Sequence, residues 1–112
     1  MAYDDVLADR LRVLLAGEPG LGESRMFGGL AFLVDGHLAV AASGQGGLML
    51  RVDPADTESL VDGDRVSRME MRGRAMNGWL RVAVDAVATD DDLARWAALG
   101  VAFVRTLPPK GS

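Results

Sequence analysis

At 112 residues and 11.9 kDa the chain has the length of one domain, enough to bury a core without covalent staples. It has no cysteine and one histidine, His37, which excludes disulfides, thiolate ligands, thiol nucleophiles and a histidine-pair metal site within one chain. A net charge of −4, a pI of about 4.8 and 5% aromatic residues argue against a nucleic-acid binder that relies on bulk positive charge or base stacking.

Residues 3–16 read as a helix. Leu7, Leu11, Leu14 and Leu15 fall on one apolar stripe, Asp4 and Asp5 sit where the helix dipole favours negative charge, and Gly17 with Pro19-Gly20 stops it. Residues 30–52 read as a three-stranded antiparallel meander. Leu30, Phe32 and Val34 alternate into Asp35-Gly36, a strong hairpin signal. Leu38, Val40 and Ala42 alternate next, Ser43-Gly44-Gln45-Gly46-Gly47 turns the chain, and Leu48, Leu50 and Val52 follow. Asp53 as N-cap and Pro54 in the first turn predict a short helix over 54–62. Two strands are expected over 66–74 and 79–84, with Met69 and Met71, then Leu80, Val82 and Val84, as their apolar sides. Thr89 followed by three aspartates opens a last helix over about 90–107, ended by Pro108-Pro109. Gly100 inside that helix predicts a close approach to the sheet, and residues 107–112 read as a loose tail.

The order α-βββ-α-ββ-α predicts a single α+β domain over 1–112. It is a two-layer fold, an antiparallel sheet of about five strands with helices on one face. Alternation assigns Leu30, Phe32, Val34, Leu38, Val40, Leu48, Leu50, Val52, Met69, Met71, Leu80, Val82 and Val84 to the core. The opposite face then carries Ala31, Leu33, His37, Ala39, Ala41, Met49, Arg51, Arg68, Glu70, Arg72, Arg74, Trp79, Arg81 and Ala83. A solvated sheet face is mostly polar. This one mixes small apolar residues with arginine, tryptophan and methionine, types enriched at interface cores, so a self-association or partner surface is expected there.

Other constellations carry less. His37 follows a turn with no nucleophile or metal partner in view. Gly44-Gln45-Gly46-Gly47 joins two strands, whereas a phosphate cradle joins a strand to a helix. Asp90-Asp91-Asp92 is explained by the helix dipole. No serine–histidine–acid set or marked carboxylate pair is evident, and no catalytic residue, cofactor or metal is expected. No run approaches the roughly 20 apolar residues that span a bilayer. The N-terminus is acidic where a signal peptide is basic, so a cytoplasmic location is expected.

Arg25-Met26-Phe27-Gly28-Gly29-Leu30 is a distinctive block. With Val34-Asp35-Gly36, Leu50-Arg51-Val52-Asp53 and Met71-Arg72-Gly73-Arg74-Ala75-Met76-Asn77-Gly78-Trp79, it resembles the TfoX/Sxy N-terminal-domain family over roughly residues 8–105. The resemblance implies an α+β fold related to secretion-chaperone-like domains. For the family's full-length competence regulators it implies transcription activation alongside the cyclic-AMP receptor protein. Those regulators carry a second, C-terminal domain, which is not expected within these 112 residues. No catalytic residues come with the resemblance. Within its motifs, Gly28 and Gly29 suit positive φ, Met26 and Phe27 suit anchors, Gly73 a bulge or close approach, and Gly78 a turn before Trp79.

The expected function is a small regulatory or protein-interaction domain, non-enzymatic and homo-oligomeric, acting by protein contact and not by reading DNA bases. The candidate surface is Arg25, Phe27, Arg72, Arg74, Met76, Trp79 and Arg81. The alternative is a domain that binds a small anionic ligand, or an enzyme, using the arginines near Trp79. A cleft of about 300 Å³ or more enclosing Arg72, Arg74 and Trp79 favours the ligand, and a flat face favours the protein partner.

Overall fold

The computed structural model describes residues 4–26 and 28–108. Helix α1 (Asp5–Leu15) begins where Asp4 caps it: the carboxylate accepts from the Val6 and Leu7 N–H groups at 2.9 and 3.2 Å. Two donors that the first turn leaves without partners are thereby satisfied. Leu7, Ala8, Leu11 and Leu15 form the buried stripe, while Leu14, expected on it, is exposed.

Six strands follow, β1 (Leu21–Met26), β2 (Gly29–Val34), β3 (His37–Ala42), β4 (Leu48–Arg51), β5 (Val66–Met71) and β6 (Arg74–Val82). They form one antiparallel sheet in the order β1-β2-β3-β4-β6-β5. Between β4 and β5 lie a 3₁₀ turn at Pro54–Asp56, capped by the Asp53 side chain, and α2 (Thr57–Leu60). Helix α3 (Asp90–Val104) starts at Thr89, whose hydroxyl accepts from the Asp92 N–H at 3.1 Å. The α+β plan is the expected one, with six strands in place of about five. The added strand is β1, a half-exposed sheet edge whose polar residues give little apolar alternation to read.

Helices α1 and α3 cover one face of the sheet. Leu30, Phe32, Val40, Leu48, Leu50, Val52, Leu80 and Val82 meet Leu7, Leu11, Leu93 and Trp96 there in one core. Each such side chain contributes about 1.5–3 kcal/mol by leaving water. Gly100 lets α3 settle onto β3, since a β-carbon at that position would strike the Ala39 carbonyl oxygen.

Two irregularities redirect side chains. The β2–β3 register passes from Phe32↔Val40 to Leu33↔Leu38, leaving Ala39 as an extra residue. Leu38 therefore joins the face away from the helices, and Ala39 lies with Val34 and Val104 beneath α3, the reverse of both expected placements. His37 pairs with Val34 on the helix side instead of the open face, and its Nε2–H donates to the Pro108 carbonyl at 2.6 Å. Leu107, read as the start of the loose tail, packs against Val34, Ala39 and Val104, while residues 109–112 lie outside the described residues.

The second irregularity is in the β5–β6 hairpin. Arg68 pairs with Leu80 but Met69 with Met76, so Asn77, Gly78 and Trp79 bulge from β6. The Gly78 N–H donates to the buried Thr57 hydroxyl at 2.8 Å, and its carbonyl accepts from the Val52 N–H at 2.9 Å. The turn is Arg72-Gly73, with φ of +54° and +78°, the conformation a two-residue hairpin loop takes. The expected roles of Gly73 and Gly78 are thus exchanged, and Met69 leaves the expected core for the opposite face. Val84 opens a 3₁₀ segment, Val84–Val87, and is exposed instead of buried. Phe27 and the Met71 side chain lie outside the described residues.

Candidate binding face

No described helix covers the second face of the sheet, yet it is not a plain solvated surface. Ala31, Leu38, Ala41 and Met49 are buried there, with Met26, Leu33, Met69 and Trp79 packed against them. Cross-strand pairing aligns Ser24, Ala31, Ala41, Met49, Arg81 and Ser67 in one row across all six strands. A cleft of about 410 Å³ lies over this row and is lined from Met26 and Gly29 to Ser67–Glu70. Since β1 and β5 are the two edges of the sheet, lining from both means that the sheet curls around the cleft.

The floor of the cleft is Ala41 and Met49, with Met26 and Met69 on its sides and Ser43–Gln45 at one end. Glycine makes that end possible. A β-carbon on Gly29 would strike the Ala42 carbonyl oxygen, and one on Gly44 would lie 2.6 Å from the Gly28 carbonyl oxygen. The chain at Gly28-Gly29 and the β3–β4 loop therefore meet backbone to backbone.

Charge is segregated. On the helix side, Arg10 pairs with Asp90, Arg12 with Asp9 and Glu23, Arg95 with Asp92, and Arg105 with Glu18 and Asp35. Arg65 pairs with Asp85 at the sheet's margin. Among the described residues, no carboxylate lies within ion-pair distance of Arg25, Arg51, Arg68, Arg72, Arg74 or Arg81. Five of these six belong to residues 48–51 and 66–82, a stretch with one acid, Glu70. A chain of net negative charge thus carries a positive patch on three adjacent strands.

The arginines are held differently. The Arg51 guanidinium lies 5.4 Å from the ring centres of both Trp79 and Phe103, an arrangement that favours a cation. Arg68 donates from Nε to Asn77 Oδ1 at 2.9 Å. Arg81 lines the cleft and makes one long contact, 3.5 Å from Nη2 to the Gly46 carbonyl. Its Nε is buried and has no hydrogen-bond partner among the described residues. On the loop before β5, the Val66 and Asp64 N–H groups donate to Asp62 and hold its carboxyl below the usual carboxylate range.

Of the candidate residues, Arg81 enters the cleft, Met76 pairs with Met69 at its side, and Trp79 packs on the same face. Arg72 and Arg74 are exposed at the β5–β6 turn, and neither they nor Trp79 line the cleft. Arg25 pairs with the core residue Leu30, which puts it on the helix side of β1, apart from the others. Arg68, which alternation puts on this face, lines the cleft, and so does Met69, which alternation assigns to the core, because the bulge at Asn77–Trp79 breaks the strand period.

The family model of the TfoX N-terminal domain matches residues 14–104. The chain belongs to the TfoX N-terminal domain family. In this TfoX N-terminal domain the match runs from the end of α1 to the end of α3, so it contains the whole sheet and the cleft. A search of curated proteins finds no match for the chain. Among the described residues, no helix is long and apolar enough to cross a membrane.

Proposed function

We propose that this TfoX N-terminal domain is a regulatory protein-interaction module that docks an acidic, partly apolar segment of another protein on its helix-free face. The observation that carries this is one face with an apolar cluster at its centre and arginines around it that no carboxylate among the described residues neutralises. Apolar burial at the centre supplies affinity, and the rim arginines supply steering and orientation. Such a module would work in the cytoplasm, within the regulatory role that the family's competence regulators imply. It would not read DNA bases. Two copies joined symmetrically through this face would set arginines against arginines, and like-charge opposition is costly, so an acidic partner is favoured over a second copy.

A displayed library of random peptides, selected on the isolated chain, tests the reading. Enriched peptides are expected to combine Asp or Glu with large apolar residues and to bind less well as salt rises. Binding should fall at least tenfold in an Arg72→Ala, Trp79→Ala variant that remains folded by circular dichroism. Selected peptides with no excess of acids, or undiminished binding by the folded variant, would refute it. Light scattering that found a stable dimer, lost in Trp79→Ala, would replace the acidic partner with a second copy.

A further inference from the structure

The cleft has chemistry that a flat docking face does not need. Its volume of about 410 Å³ falls in the range of small-molecule sites, roughly 300–1,000 Å³. Three methionines, Met26, Met49 and Met69, line it, and no cysteine competes with them. Thioether side chains are polarisable and adaptable, and they suit an aliphatic body of variable shape.

Arg81 lies on the same lining, opposite Met49 in the sheet. Among the described residues its buried Nε–H has no acceptor and no carboxylate lies within ion-pair distance of it. A guanidinium on the cleft lining with one long hydrogen bond and no described counter-charge favours an anion beside it. The planar fork presents two N–H groups that match the two oxygens of a carboxylate. Glu70, also on the lining, opposes a second negative charge, which selects a monoanion.

We propose that the cleft binds a small amphipathic monocarboxylate, with its carboxylate on Arg81 and its aliphatic body among Met26, Met49 and Met69. This goes beyond protein docking and does not depend on it, because the site needs one chain and no partner. The ligand would occupy one end of the helix-free face and alter what that face offers to a protein.

Octanoate, added to the isolated chain carrying ¹³C-methyl methionine, is the probe. Saturable shifts of the Met26, Met49 and Met69 methyl signals are expected. Arg81→Gln should weaken binding at least tenfold, Arg81→Lys by less, and Arg74→Gln not at all, each variant being checked for folding by its circular dichroism. Octanol should bind at least tenfold more weakly than octanoate. No saturable shift, equal binding of octanol, or undiminished binding by a folded Arg81→Gln or Arg81→Lys would each overturn the proposal. Tighter binding of octyl phosphate would overturn the carboxylate as its head group.

Discussion

Replacing Thr57 by valine tests the bulge that turns Trp79 toward the helix-free face. Valine keeps the shape of threonine and removes its hydroxyl. In the native chain that hydroxyl accepts from the Gly78 N–H at 2.8 Å and donates to the Asp53 carbonyl at 3.3 Å. Thr57 is 1% exposed, so water cannot take its place. The loss at Asp53 matters little, because that carbonyl also accepts from the Asp56 N–H at 2.9 Å. The loss at Gly78 leaves a buried amide without an acceptor, which costs about 1–3 kcal/mol. Thr57→Val should therefore lower stability by about 2 kcal/mol, which is a fall in Tm of roughly 8–12 °C for a chain of this length. Thr57→Ser keeps the hydroxyl and loses one buried methyl, at about 1 kcal/mol. Urea unfolding followed by circular dichroism measures both. A Thr57→Val variant within about 0.5 kcal/mol of wild type, or no less stable than Thr57→Ser, would show that this bond does not hold the bulge.

Gly100→Ala should destabilise by about 1–3 kcal/mol although alanine is the better helix former, because its β-carbon meets the Ala39 carbonyl; urea midpoints that rise would contradict the close approach. Arg105 joins the end of α3 to Glu18, the Pro19 carbonyl and Asp35, and Arg105→Ala should cost about 1 kcal/mol at low salt and less at high salt, read from unfolding at two ionic strengths. Asp62 should titrate below the ordinary aspartate value of about 3.9 in carboxyl-carbon NMR. Since its folded pKa is depressed, its contribution is complete above the unfolded value and is lost as pH falls through the folded one, so the stability gap to Asp62→Asn should close in acid. A midpoint at or above the ordinary value would remove that pH dependence.

Much of the fold is legible wherever side-chain alternation and turn chemistry agree. Asp35-Gly36 announces its hairpin, and Phe32, Val40, Leu50 and Leu80 reach the core by simple alternation. The residues that define the face are harder, because bulges reset the strand period and leave no compositional trace. In His37–Ala42 almost every residue is small or apolar, so nothing in the sequence marks Ala39 as the extra one. Arg72-Gly73 is a poor hairpin signal, since arginine replaces the Asn, Asp or Gly that readily takes positive φ. The strand therefore reads straight through it, and the bulge opposite Arg68 and Met69, equally unmarked, puts Met69 on the other side. Strand β1 escapes notice because a sheet edge survives on polar residues. The cleft depends on all three features, and so its arginine and tryptophan are legible in the sequence while its shape is not.

The strand order has a consequence for how the chain reaches this fold. Strands β1 to β4 are each paired with their neighbours in sequence, and β5 with β6 forms a second local unit. One seam, β4 against β6, joins the two, and it passes over the intervening α2 and β5. Local pairings close short loops and form early, while the seam must wait for a longer one. During synthesis the first unit can zip beneath α1 as it emerges, but the rest of its apolar face stays open until α3, the last described helix, packs against Ala39. The interval between the first hairpins and the last helix is thus when this chain most needs protection from its neighbours.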